Sequence, residues 1–169
     1  MRVVSWNTAK RVQRTEEQSA YIKKFEADII ALQEVLPSSE TKWRDQLSRD
    51  YAHIISSFEL APDTAVLKKK RMFGQIIASK FPLTPIPPNQ MQVPWQERVL
   101  SVQLHAPGRD IRLLTTHIPP GASNGWIKIE TIKGIVENPE SRITKKRSQQ
   151  KGTQFEGRWF HCRILIQSC

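Results

Sequence analysis

Three polar residues of this chain stand where strand-like runs give way to loops. Asn7 follows Arg2 to Trp6, Glu34 closes the apolar stretch of Asp28 to Val35 (DIIALQEV), and His117 ends IRLLTTH. An amide oxygen and a carboxylate delivered by neighbouring strands suit a hard divalent cation such as Mg²⁺ or Mn²⁺, which takes oxygen ligands and keeps several waters. A histidine beside them can hydrogen-bond a phosphate or supply a proton near neutral pH. The set would serve phosphoryl chemistry, with Glu34 and Asn7 as metal ligands and His117 as the catalytic residue. Plainer readings stand beside this one: Glu34 can simply end a strand, and a lone histidine can be a satisfied structural residue. Asn124, before Gly125 and a helical pattern, reads as an N-cap or as part of a phosphate site at that helix start.

The elements that must position these residues are legible in the periodicity. Val3–Asn7, a helix, and 27–34 form a β-α-β opening, and Ile29, Ile30, Ala31 and Leu32 read as a strand covered on both faces. Thr15-Glu16-Glu17-Gln18 has the form of a capping box, with Tyr21, Ile22 and Phe25 as the stripe facing the sheet. A second helix is expected over 40–47, with Trp43 and Leu47 one turn apart. Strands are expected over 52–56 and 74–79, separated by the basic Lys68 to Arg71, which reads as a solvated loop or as a phosphate-facing cluster. The proline-rich stretch 82–94 reads as a loop. A hairpin should join 97–105 to 110–117 through Ala106-Pro107-Gly108-Arg109. Trp126, Ile129, Ile132 and Val136 recur at helical spacing and should bury one face. From Asn138 the pattern decays into a polar, basic stretch, and strand character returns only over Arg163 to Ile166.

A formal charge of +10 points to anionic partners, with nucleic acid ahead of acidic membrane surfaces. Residues 138–169 hold seven of the 26 basic residues and two of the 16 acidic ones, so half of the excess lies in that short stretch. The organisation expected is a domain over 1–137 followed by a basic, disordered tail over 138–169. Cys162 and Cys169 match no metal-ligand spacing, and a disulfide scaffold is not expected. With no signal-peptide core and no run of spanning length, the expectation is an intracellular, cytoplasmic-type protein with no membrane span and no obligate protein partner evident.

VVSWN, DIIALQEV, GQIIASKFPL and LLTTHIPPGASNGW, in that order and spacing, resemble the endonuclease/exonuclease/phosphatase superfamily, the deoxyribonuclease-like metal-dependent phosphoesterases. The similarity covers about residues 2–136. It implies an α/β (α+β) four-layer sandwich of two facing, mostly antiparallel sheets with helices outside. It also implies a phosphodiester substrate, which can be nucleic acid, with Asn7 and Glu34 in the metal centre and His117 near the scissile phosphate. Arg98, opening ERVLSV, falls where some members place a phosphate-contacting residue; the alternative is a structural or solvent-facing arginine.

The same resemblance implies later Gly-Asp-x-Asn and Ser-Asp-His motifs that orient the attacking water. No aspartate follows Asp110, and the only later histidine, His161, lies in Trp-Phe-His-Cys. The sandwich is therefore expected to be incomplete at its C-terminal side and the polypeptide weakly active or inactive. A non-catalytic basic module binding phosphates through Lys and Arg, and an inert fragment, are the competing readings.

Overall fold

The alternating apolar positions of VVSWN and the all-apolar start of IIALQEV place two strands, β1 (Val3–Asn7) and β2 (Ile29–Val35), side by side and parallel, with Asn7 opposite Gln33. The structure is a computed structural model that describes residues 1–60, 72–88, 92–118 and 125–137, and the backbone of 162–168. Between β1 and β2 runs α1 (Thr15–Lys23), followed by α2 (Pro37–Leu47), β3 (His53–Ser56), the single turn α3 (Ser57–Leu60) and β4 (Gly74–Ser79). Then come β5 (Leu83–Ile86), β6 (Val99–Ala106), β7 (Arg109–His117), α4 (Trp126–Glu137) and β8 (Cys162–Ser168). The strands form two sheets, β1-β2-β4-β3 and β5-β6-β7-β8.

Side-chain alternation makes this a four-layer sandwich. Ile30, Leu32, Ile76 and Ala78 point outward to Ile22, Trp43 and Leu47 of α1 and α2. From the opposite faces, Ile29, Ala31 and Ile77 meet Leu100, Val102, Leu104, Ile111 and Leu113 between the sheets. Outside the second sheet, Val99 and Leu114 pack with Val93 and with Ile135 of α4. The inner face turns polar toward one end. There, fully buried Gln33 donates to Ser5 Oγ at 3.0 Å and to Thr115 Oγ1 at 3.0 Å, and Thr115 donates to Gln75 Oε1 at 3.3 Å. That polar layer ties the sheets together directly beneath the strand ends that carry Asn7, Glu34 and His117.

Several local expectations are corrected. The capping box does not form, because a 3-10 turn over Val12–Arg14 runs straight into α1 and Thr15 already has helical backbone angles (φ −57°, ψ −45°). Thr15 donates its hydroxyl to Val12 O, while Gln18 accepts from Trp6 Nε1 and donates to Thr8 O. On α1 only Ile22 of the expected stripe is buried; the small Thr15 and Ser19 complete the inward face, leaving Tyr21 and Phe25 exposed in edge contact with each other. The second helix starts at Pro37, a residue that needs no N–H partner in a first helical turn.

The 82–94 stretch contains the strand β5, with Pro85 opposite Val102. β5 lies at the edge of its sheet, where a missing N–H is tolerated. On α4 the expected stripe is the exposed one: Trp126, Ile129, Ile132 and Val136 face outward, while Thr131 and Ile135 are buried. Ile127, Thr131 and Ile135 share the same helical period, and periodicity cannot choose between two such stripes. The hairpin turns at Pro107-Gly108, where Gly108 takes φ +79°. Lys68 to Arg71, Asn124 and residues 138–161 lie outside the described residues; β8 carries the strand expected around Arg163 to Ile166, antiparallel to β7. Among the described residues no helix is long and apolar enough to cross a membrane.

Candidate active site

Asn7 reaches the site by simple parity. Val3 and Ser5 face the second sheet, so Asn7 does too, at the C-terminal end of β1. Glu34 needs an irregularity to get there. In register with β4, Leu32 pairs Ile76 and Val35 pairs Gly74, so Gln33 and Glu34 together oppose Gln75. This is a bulge, a device that re-aims a side chain. Val35 thereby joins Ile30 and Leu32 on the helix side, and Glu34, at φ +58°, leaves the regular alternation. Thr8 pins the bulge by donating its N–H to Gln33 O at 2.9 Å and its hydroxyl to Glu34 O at 2.8 Å. His117 comes from the other sheet, continuing the inward series Ile111, Leu113, Thr115 along β7.

The three residues converge. His117 Nε2 lies 3.0 Å from Glu34 Oε1, and Asn7 Nδ2 donates to the same oxygen at 3.1 Å. Asn7 Oδ1 accepts the Ala9 N–H at 2.8 Å. The His117 hydrogen bond, aided by Asn7 and by the charges of His117 and Lys10, holds the Glu34 carboxyl down to about 2 against the opposing effect of burial. Glu34 is therefore ionised throughout the physiological range. His117 Nδ1 is buried with no hydrogen-bond partner among the described residues.

Arg98 joins this group and corrects the solvent-facing alternative, being 8% exposed. It lies on the inward parity of Leu100, Val102 and Leu104, one residue before the Val99–Thr116 pair. Its guanidinium sits 4.2 Å from the Phe73 ring centroid and 3.8 Å from that of Trp95, with Glu97 Oε1 3.9 Å from its Nε. Burial lowers the Arg98 pKa, offset by the carboxylates of Glu97 and Glu34, and burial raises that of Glu97. Guanidinium stacking on two rings is a favourable cation–π arrangement that also fixes orientation.

Two residues escaped sequence reasoning. Phe73, buried just before β4, meets the His117 ring edge-on at 4.6 Å. Lys10 places Nζ 3.7 Å from Glu34 Oε2 and 4.5 Å from the Phe73 centroid. Phe73 was discoverable as the inward-parity residue ahead of GQIIAS; Lys10, in a turn, has no periodicity to betray it.

This geometry coincides with a family assignment. The endonuclease/exonuclease/phosphatase family model matches residues 4–136. The chain belongs to that family. Among solved structures, a D. rerio TDP2 humanized by 14 mutations superposes with a TM-score of 0.60 at 13% identity, covering 84% of this chain and 60% of that one. D. rerio TDP2 complexed with single strand DNA product gives 0.59 at 14% identity, covering 85% and 56%. At such identity the likeness establishes the α/β sandwich of an endonuclease/exonuclease/phosphatase protein and nothing finer. The chain spans less than two thirds of the length of those structures. No curated protein matches it.

The endonuclease/exonuclease/phosphatase family consists of phosphodiesterases and nucleases that generally depend on a divalent metal, and the donor set here fits one. Glu34 is ionised and its Oε2 already faces a positive charge, whereas Asn7 presents Nδ2 to Glu34 and its Oδ1 to the Ala9 N–H, so its oxygen would reach a cation only once the amide turned. Among the described residues no group of three His, Cys, Asp or Glu could hold a metal. From the described residues a cation would draw on the Glu34 carboxylate and water, with the Asn7 oxygen joining only if the amide turned, a sparse set that Mg²⁺ accepts more readily than Ca²⁺ does.

Proposed function

We propose that this chain binds a divalent cation, Mg²⁺ or Mn²⁺, at Glu34 and Asn7 and receives a nucleic-acid phosphodiester between His117 and Arg98. Convergence carries the reading: Asn7 and His117, from strands of two different sheets, meet on the Glu34 carboxylate, which its neighbours keep ionised. Bound there, the metal would act as a Lewis acid on a phosphoryl oxygen. Arg98 offers a preoriented guanidinium to phosphate oxygens, and its two stacked rings stop it from swinging away. His117 Nε2 lies 3.0 Å from Glu34 Oε1, so its proton is directed at the carboxylate and would serve a phosphate oxygen only when that contact opens. The +10 charge and the single-stranded DNA product in the D. rerio TDP2 structure support nucleic acid as the substrate class. Residues 1–137 are proposed as the unit that carries this site.

Turnover by this polypeptide is expected to be slow. No aspartate of this sequence follows Asp110, and a site without a positioned base would lose about 10² to 10⁴ in rate. Binding without turnover is the second reading, favoured by the charge balance.

The test combines oligonucleotide binding with hydrolysis of plasmid DNA, RNA and a chromogenic phosphodiester in Mg²⁺ or Mn²⁺. Binding to a single-stranded oligonucleotide should weaken with salt and in Arg98→Met, and any residual turnover should vanish in both Glu34→Ala and His117→Ala. Turnover indifferent to both substitutions would place the chemistry elsewhere, and rapid turnover lost in both would refute the slow-enzyme reading.

A further inference from the structure

We propose that Lys10 is a built-in cation that occupies the position beside Glu34 Oε2 and yields it to a divalent metal. The inference rests on the metal reading above and adds to it a residue that controls occupancy of the site. Four observations carry it. Glu34 Oε1 is engaged by Asn7 and His117, whereas Oε2 faces the Lys10 ammonium. At 3.7 Å that ion pair is longer than a hydrogen bond, so the contact is Coulombic and exchangeable. The Lys10 side chain is 47% exposed, against 16% for Glu34, which leaves the ammonium free to swing outward while the carboxylate stays.

The backbone supplies the fourth. Ala9 and Lys10 both adopt left-handed conformations, at φ +52° and +60°. Neither is a glycine or an asparagine, the residues that enter this region with little penalty. The turn is held by Ala9 N–H to Asn7 Oδ1 at 2.8 Å and Arg11 N–H to Thr8 O at 3.2 Å. A strained turn anchored on a candidate metal ligand points to a required position for the side chain it carries. The Phe73 ring, 4.5 Å from Nζ, gives the ammonium a second, weaker seat.

The chemistry follows from charge balance. Without metal, an ionised Glu34 in a half-enclosed site would be left short of positive charge, and Lys10 provides it. When a divalent cation arrives, ammonium and metal repel at this range, and the flexible four-carbon stem lets Lys10 retreat to the rim. There it adds a positive charge where a phosphodiester must approach.

The experiment measures binding of Mn²⁺ alone, from the loss of its free-ion paramagnetic resonance signal, in the full chain and in Lys10→Met, which keeps stem length and removes charge. Affinity should rise about two- to fivefold, the range expected for a partly exposed ion pair. Lys24→Met, which removes a charge beside Tyr21 at the C-cap of α1, ahead of the start of β2 whereas Glu34 lies near its end, is the control and should leave affinity unchanged. In the wild type, acylation of Lys10 read by mass spectrometry should increase when Mn²⁺ is added. Unchanged, weaker or undetectable binding in Lys10→Met, or an equal gain in Lys24→Met, overturns the proposal. Failure of the underlying metal reading looks different: Mn²⁺ binding that survives Glu34→Gln in the Lys10→Met background puts the cation elsewhere.

Discussion

His117→Ala should release the Glu34 carboxyl from its depressed state, and the structure allows the size of that release to be worked out. The folded carboxyl sits at about 2 against an ordinary value of 4.5, a gap worth about 3 kcal/mol at 1.36 kcal/mol per unit. The side chain is 16% exposed, so solvent screening removes little of it. The hydrogen bond from His117 is the largest cause, and His117 contributes a second time through its charge, while Asn7 and Lys10 supply the rest. Roughly half of the gap, on the order of 1–2 kcal/mol, should therefore disappear. The sign follows from the depressed folded value: this stabilisation is complete above about 4.5 and is lost as pH falls toward 2. Carboxyl-carbon NMR titration of Glu34 in metal-free buffer should show its midpoint moving upward in His117→Ala. Urea unfolding followed from pH 6 to 2 should show a shallower acid loss in the variant than in the wild type. A Glu34 midpoint that stays near 2 after His117 is removed would refute the reasoning, because the hydrogen bond would then not be what keeps the carboxylate charged.

Gly74→Ala should destabilise the fold by about 1–3 kcal/mol in urea unfolding, since an added Cβ would sit 2.7 Å from the Phe58 ring and from Ser57 Oγ. Phe58→Leu in the same background should recover part of that loss if the clash is its cause. Trp43→Ala empties a site that is 1% exposed beneath β2 and should cost about 3–5 kcal/mol by the same measurement. Arg98→Lys should fail to restore the oligonucleotide binding lost in Arg98→Met, because an ammonium cannot reproduce a guanidinium stacked on Phe73 and Trp95; full restoration in a binding titration would reduce Arg98 to a point charge.

Much of this molecule is decided by local pattern. The all-apolar start of IIALQEV requires cover on both faces, and it receives helices on one side and the second sheet on the other. The alternation of Leu100, Val102 and Leu104 sets which face of β6 is buried, and Pro107-Gly108 sets where the hairpin turns. Asn7 and His117 follow from the same parity, since side chains alternate along a strand and every second one, the last included, points toward the facing sheet. Residues whose role depends on a neighbour far away in the chain were not decided this way. Ile127, Thr131 and Ile135 beat the more apolar stripe of α4 because Leu114 and Val99 present their own apolar face at that angle. Pro85 lies in a strand because β6 offers an edge that does not need its missing donor.

The candidate site itself divides along that line. Sequence alone determined that an amide, a carboxylate and a histidine lie where strands give way to loops, because strand periodicity is a property of the chain next to each residue. Only the tertiary structure decided that Glu34 is swung out of register by a bulge against Gln75, and that His117 Nε2 meets it at 3.0 Å. It likewise decided that Lys10 reaches that carboxylate and that Phe73 packs against His117, Lys10 and Arg98. Those are contacts between strands of two sheets and a turn, set by how the layers stack, and no periodicity within one segment encodes the distance between segments.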